Sequence, residues 1–251
     1  MHDPMAILSS PIDLDAVALM LDVDGTLIDL APTPDAVSAP ASLKTTLAAL
    51  ARRTGGSCAL VSGRRVGDLD RIFAPLRMPA VGGHGVEFRL DPLRDPEPPR
   101  APALAPEIRR RLHGLAPTGT GVLVEDKGYA VAVHFRLAPE WADTVFRAVA
   151  AIQAELPPGT IEVLPGKAVL EIKPAAFHKG TAIRELMAVA PFRGRRPIFI
   201  GDDTTDEHAF AVLPEFDGIG ISVGRRIPGV AACLATPGDV RHWLARILGD
   251  A

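Results

Sequence analysis

Ala16-Val17-Ala18-Leu19-Met20-Leu21-Asp22-Val23-Asp24-Gly25-Thr26-Leu27 is an unbroken apolar run that ends abruptly in two carboxylates and a glycine. A run without polar alternation suits a strand covered on both faces, the pattern of a parallel sheet. Open sheets of that kind bind ligands beyond the carboxyl ends of their strands, which is where Asp22 and Asp24 fall. Two other runs end in the same manner. Cys58–Val61 leads into Ser62-Gly63-Arg64, and Pro197–Ile200 leads into Gly201-Asp202-Asp203. Helical spacing appears between and after them. Leu43, Leu47 and Leu50 share one face, with Pro40 near the start and Gly55-Gly56 as the stop, and Val240, Trp243, Leu244 and Ile247 form a second stripe. Such stripes are core packing far more often than ligand sites. Strands alternating with helices predict a doubly wound, parallel-sheet α/β core.

Residues 91 to 106 interrupt that pattern. Pro92, Pro96, Pro98, Pro99, Pro102 and Pro106 make this an extended connection. Beyond it, Gly121–Glu125, Ala130–Arg136, Thr160–Leu164 and Ala168–Ile172 have the character of strands, with a helix from about Pro139 to Glu155 between the two pairs. The expected organisation is therefore a discontinuous core, residues 1–100 and 177–251, with a smaller α+β cap inserted at residues 101–176.

Composition narrows the class of partner. Of the 251 residues 47% are hydrophobic and 23% charged, the net charge is -3, and no long run of Lys or Arg occurs. Neither nucleic acid nor an anionic membrane is expected as a partner, whereas a local basic pocket for a small anion is compatible with that total. The two cysteines, Cys58 and Cys233, have no metal-ligand spacing and are expected as buried small apolar residues. The N-terminal MHDPMAILSSPIDLD has no basic region followed by a long apolar core, and Val17–Leu21 is too short to span a bilayer. A soluble, cytoplasmic monomer is expected.

Four segments carry chemistry. Asp22 and Asp24 after a buried strand, with Gly25 permitting a tight turn, suit phosphoryl transfer: one carboxylate attacks phosphorus and the other moves the proton. A turn rich in Asp that merely caps a helix is the competing reading. In Gly201-Asp202-Asp203-Thr204-Thr205-Asp206-Glu207, oxygen-only donors suit a hard cation such as Mg²⁺, although acids also favour helix N-termini for dipole reasons. Ser62 offers a hydroxyl and loop amides to phosphoryl oxygens, and equally serves as a plain N-cap. Lys179 would neutralise carboxylates and phosphate together, although a lone Lys is normally a solvated surface residue.

Taken in this order, DxDGT, Ser, Lys and an acidic pair, the four segments resemble the motifs of the haloacid dehalogenase-like phosphohydrolases, whose core is Rossmann-like. The resemblance implies that Asp22 is the nucleophile and Asp24 the general acid/base. It implies that Mg²⁺ is held by Asp22, the Asp24 carbonyl, Asp202 and the adjacent Asp203, and that Ser62 and Lys179 hold the phosphoryl group. Details outside the motifs are similar to the trehalose-6-phosphate phosphatase family. These are Gly82-Gly83-His84-Gly85-Val86-Glu87, Glu125-Asp126-Lys127-Gly128, Ala132-Val133-His134-Phe135-Arg136, Lys167, Glu171 and the Asp202–Glu207 segment. The narrower likeness implies a sugar-phosphate substrate, with Gly83, His84, Glu125, Lys127, Arg136, Lys167 and Glu171 in contact with it. His84 is equally readable as a buried, hydrogen-bonded structural histidine, and each charged cap residue as part of an exposed strand face. His208, Lys173 and Ala175-Ala176 depart from the family pattern beside the motifs, which bears on substrate selectivity. The competing functions are a phosphatase or mutase for another sugar phosphate, a silent regulatory module of the same fold, and a phosphate-accepting signalling domain.

Overall fold

A computed structural model of the chain describes residues 8–30, 37–166 and 168–249. They form two compact units, one of the described residues within 1–98 and 178–251 and the other of those within 99–177.

The first unit is built on a seven-stranded sheet. Its strands are β1 (Val17–Leu21), β2 (Cys58–Val61), β3 (Ala80–Gly82), β4 (Glu87–Arg89), β9 (Arg196–Gly201), β10 (Ile219–Val223) and β11 (Ala232–Leu234), in the spatial order β11-β10-β9-β1-β2-β3-β4. All neighbours are parallel except β3 and β4. Successive side chains of a strand point to opposite faces, and both faces here are covered. Leu19, Leu21, Cys58, Leu60, Ile198 and Ile200 pack with Leu43, Leu47 and Leu50 of α1 (Ala41–Arg53), Leu69 and Phe73 of α2 (Val66–Phe73), and Val240, Trp243, Leu244 and Ile247 of α7 (Pro237–Gly249). Ala18, Met20, Ala59, Val61 and Phe199 pack on the other side with Ala182, Ile183 and Leu186 of α5 (Lys179–Met187) and Ala209 and Phe210 of α6 (Glu207–Val212). This double cover is why the central strands are apolar at every position but the exposed Arg196 of β9, and it bears out the doubly wound α/β core. The sheet also contains the short strands β3, β4, β10 and β11, which the apolar pattern alone did not reveal.

The second unit is a four-stranded antiparallel sheet, ordered β5 (Leu123–Asp126), β6 (Val131–His134), β8 (Val169–Pro174) and β7 (Ile161–Gly166). Val131, Val133, Leu170 and Ile172 pack against Ile108 and Leu112 of α3 (Pro106–His113) and Val145, Val149 and Ile152 of α4 (Ala142–Ala154). The expected helix from Pro139 begins as a 3₁₀ turn at Pro139–Trp141. The expected strand at Ala168 begins one residue later, because Ala168 has φ 61°, a hairpin-turn conformation. The opposite sheet face carries a cross-strand row, Glu125–Ala132–Glu171–Leu164. Lys167 lies outside the described residues.

Candidate active site

The carboxyl ends of β9, β1 and β2 lie side by side, so Asp202, Asp22 and Ser62 follow three adjacent strands. The Asp22 amide donates to the Ile200 carbonyl at 3.0 Å, which continues the β1–β9 ladder to the start of the site. Oxygen atoms of Asp22, Asp202 and Asp206 lie within 4.8 Å of one another. Lys179, the first residue of α5, extends its ammonium between two of them, 2.6 Å from Asp22 Oδ1 and 2.6 Å from Asp206 Oδ1.

Thr26 and Gly25 shape the loop after β1. The Thr26 hydroxyl donates to Asp202 Oδ1 at 3.0 Å. Gly25 has φ 78°, and a Cβ there would run into the Asp202 carboxylate. The sequence places glycine where the turn needs a left-handed residue and the carboxylate needs room.

Asp206 ties the acidic loop together. Its Oδ2 accepts from the amides of Asp202 and Asp203, both at 3.0 Å, while Oδ1 takes Lys179. Asp206 is completely buried. From the sequence alone it reads partly as a helix-terminal acid. Its position four residues after Asp202 was the available signal, but its bond to Lys179 spans 27 residues and is not legible locally. Asp203, expected beside Asp202 as a ligand, is exposed and lies outside the three-carboxylate group. Its side chain caps the following 3₁₀ turn by accepting from the Thr204 amide at 2.6 Å.

Electrostatics follow from this crowding. Burial pushes the Asp22 carboxyl well above the usual range; Lys179 opposes the shift, and the neighbouring Asp206 and Asp202 add to it. Burial likewise raises Asp202, against the Thr26 hydrogen bond and with repulsion from Asp206 and Asp203. For Lys179 burial acts downward, yet the charges of Asp206 and Asp22 outweigh it and hold the ammonium above its ordinary range. Three carboxyl groups around one ammonium, with the ionisation of Asp22 and Asp202 disfavoured by burial and by their neighbours, form a largely buried, oxygen-only donor set. That chemistry fits a hard divalent cation.

Asp24 is held by Arg64. The guanidinium donates from Nε to Asp24 Oδ2 at 2.6 Å and from a terminal nitrogen to Oδ1 at 2.7 Å. Ser62 is buried and its hydroxyl accepts from the Arg64 amide at 3.2 Å. Gly83 and His84 brace the same loop: the Gly83 amide donates to the Arg64 carbonyl at 2.9 Å and the His84 amide to the Ser62 carbonyl at 3.0 Å. The His84 ring fills the space a side chain at Gly63 would need. Gly85 has φ 112°, and a Cβ there would lie 2.8 Å from the His178 carbonyl. The glycine-rich turn thus joins the Ser62 loop to the residue that precedes Lys179.

In the second unit, Lys127 Nζ lies 3.2 Å from both oxygens of Glu171, and His134 Nε2 lies 3.3 Å from Glu125. Glu125, Lys127 and Glu171 are therefore drawn into cross-strand pairs, with His134 as a partner the sequence reading quoted without assigning it a role. Arg136 is exposed, two residues past the end of β6. Asp126 turns toward α3 and accepts from Arg109 at 2.6 and 2.9 Å and from the Gly128 amide at 2.8 Å.

Residues 20–229 match the family model described as trehalose-phosphatase. The chain belongs to the trehalose-phosphatase family. Among curated proteins it is 42% identical over 237 residues to a probable trehalose-phosphate phosphatase of Sinorhizobium fredii, covering 90% of this chain and 84% of that one. It is 37% identical over 230 residues to the trehalose-6-phosphate phosphatase of Escherichia coli, covering 92% and 86%. Among solved structures, the C-terminal domain of the C. albicans trehalose-6-phosphate phosphatase superposes with a TM-score of 0.79 at 19% identity over 99% of this chain and 97% of that one, a likeness of fold. The family match spans Asp22, Asp24, Ser62, Lys179, Asp202 and Asp206 alike. Among the described residues no helix is long and apolar enough to cross a membrane.

Proposed function

We propose that this chain hydrolyses trehalose 6-phosphate to trehalose and inorganic phosphate through a phosphoaspartate on Asp22. One observation carries the reading: a buried carboxylate at the end of the central strand β1, bonded to a buried ammonium and grouped with two further carboxylates. The names of the relatives at 37% and 42% identity support the substrate.

Asp22 and Asp202, with the Asp24 carbonyl, are the residues assigned to hold Mg²⁺. Asp206 is assigned a supporting role, because both its oxygens are already taken by Lys179 and two backbone amides. Magnesium, when bound, supplies positive charge that favours ionised Asp22 and neutralises phosphoryl oxygens. Lys179 favours the ionised form of Asp22 against its burial and offers a donor to the incoming phosphoryl group. Asp22 Oδ attacks phosphorus as the bond from phosphorus to the sugar oxygen breaks, and Asp24 delivers a proton to that oxygen. Asp24 then takes a proton from water, the water oxygen attacks phosphorus, and the Asp22 carboxylate departs. Ser62 orients a phosphoryl oxygen. Glu125, Lys127, Arg136, Lys167 and Glu171 are assigned to the sugar hydroxyls, whose donors and acceptors match paired carboxylates and ammonium groups, and Gly83 and His84 to substrate contact through the Ser62 loop. The protein acts as a cytoplasmic monomer in this reading.

The test is phosphate release from trehalose 6-phosphate with Mg²⁺, against EDTA and against a panel of other sugar phosphates. The expected result is turnover with trehalose 6-phosphate that EDTA removes. No turnover beside brisk hydrolysis of another sugar phosphate would discard the substrate, and undiminished turnover by Asp22→Asn would discard the nucleophile.

A further inference from the structure

Arg64 has no part in the mechanism above, yet it makes the most direct contact of any side chain with Asp24. Both oxygens of the Asp24 carboxylate sit in the guanidinium fork, at 2.6 and 2.7 Å. The two side chains are 17% and 30% exposed, so water screens the pair only in part. They are 40 residues apart in the chain, which excludes a chance helical neighbour. The Arg64 backbone is fixed at both ends: its amide by Ser62 Oγ and its carbonyl by Gly83. A planar fork on a braced loop is a rigid partner, and guanidinium stays charged at any pH the enzyme meets.

We propose that Arg64 is a positioning residue that sets the orientation of the Asp24 carboxylate for proton delivery to the leaving oxygen. The inference rests on the acid/base role given to Asp24 under Proposed function. A carboxylate with both oxygens in a fork has one orientation about its terminal bond. Without the fork, the short Asp24 side chain is free to rotate among several, few of which aim an oxygen at the sugar.

The leaving group separates this role from a structural one. A departing sugar alkoxide needs a proton, whereas 4-nitrophenolate leaves without one. Arg64→Ala is expected to lower kcat/KM for the sugar phosphate by about 10²-fold, the low end of what a general acid contributes, while kcat/KM for 4-nitrophenyl phosphate changes little. Arg64→Lys keeps the charge and a single bond, and is expected to show the same selectivity in milder form. Equal losses on the two substrates, in either variant, would make Arg64 a phosphate or folding residue and overturn the proposal. Unchanged rates on both would make the fork idle and overturn it as well. The sugar phosphate used is whichever one the wild type turns over. A wild type inactive on every alkyl phosphate overturns the functional reading itself, and that result is visible before any variant is made.

Discussion

Asp206 offers the sharpest separation between a residue that builds the site and one that works in it. The carboxylate is fully buried and accepts three hydrogen bonds, one from the Lys179 ammonium and two from the amides of Asp202 and Asp203. Asp206→Ala leaves those amides without their acceptor and leaves Lys179 with Asp22 alone. Removing one partner of a buried ion pair costs about 3–5 kcal/mol, and the orphaned amides belong to the same loss, so the figures are not summed. At a typical urea dependence of about 2 kcal/mol per molar, the midpoint falls by roughly 2 M. Asp202→Asn is the control. It keeps an acceptor for Thr26 and removes a charge that burial and Asp206 already disfavour. Without Mg²⁺ its midpoint is therefore expected to stay level or rise. The measurement is urea unfolding of the metal-free protein, followed by fluorescence in a Trp141→Phe background. The remaining tryptophan is then Trp243, which is 5% exposed and packed in the first unit. A midpoint for Asp206→Ala equal to wild type, or an Asp202→Asn midpoint lowered just as far, would refute the assignment of Asp206 as anchor and Asp202 as working ligand.

Three further outcomes are expected. Asp126 is held down to about 2, from an ordinary 3.8; burial acts the other way, and hydrogen bonds from His113, Arg109 and the Gly128 amide prevail. Its contribution is present above the unfolded value and is lost as pH falls toward 2. With Arg109 partly exposed, Asp126→Asn should cost about 1 kcal/mol at pH 7, and a cost unchanged in unfolding at pH 2 would contradict this. Burial pushes the Cys58 thiol up to about 12, so a thiol reagent at pH 8 should label the less buried Cys233 in the native protein and both cysteines in denaturant; equal native labelling would contradict the burial. Gly25→Ala forces a side chain into left-handed backbone and into the Asp202 carboxylate. The backbone term is about 1–2 kcal/mol, and the Mg²⁺ concentration needed for half-maximal activity should rise; an unaltered metal requirement would show that the loop yields without moving Asp202.

How much was legible in the sequence depended on how many strand faces are covered and how local the partners are. The central strands β1, β2 and β9 announce themselves because every residue but the exposed first of β9, Arg196, is buried. Strands β3, β4 and β11 span three residues each, too few for a periodicity to establish itself. Strand β10 is fully buried but carries Gly220 and Ser222 among its five residues, which weakens the apolar signal. In the site, Asp22 and Lys179 were found from their motifs and do meet, across 157 residues. Asp206 and Arg64 stood in plain view within quoted motifs. What hid them is that their partners, Lys179 at the start of α5 and Asp24 beyond β1, are distant in the chain, so local chemistry offers Asp206 only the reading of a helix-terminal acid and Arg64 no role. Asp126, which stands in the family-like cap segment with no role read from the sequence, has its oxygens on α3 and the Gly128 turn.

The convergence of these loops has a simple geometric cause. Parallel neighbours in a sheet lie about 4.8 Å apart, and their carboxyl ends face the same way. Asp22 follows Leu21 directly, Asp202 follows Gly201 directly, and β1 and β9 pair in register from Val17–Arg196 to Leu21–Ile200. Asp22 is therefore level with Gly201 and one residue short of Asp202, which brings the oxygens of the two carboxylates within 4.8 Å although 180 positions separate them, 202 minus 22. An antiparallel neighbour would have sent the second loop to the opposite edge. Repulsion between the carboxylates then becomes a property of the sheet and not of any one residue, and Lys179, set at the first position of α5 by the same winding, bonds two of the three carboxylates. A chain that gathers three acids around one ammonium, two of the acids buried, has a charge balance that a divalent ion beside the proposed phosphoryl site would complete.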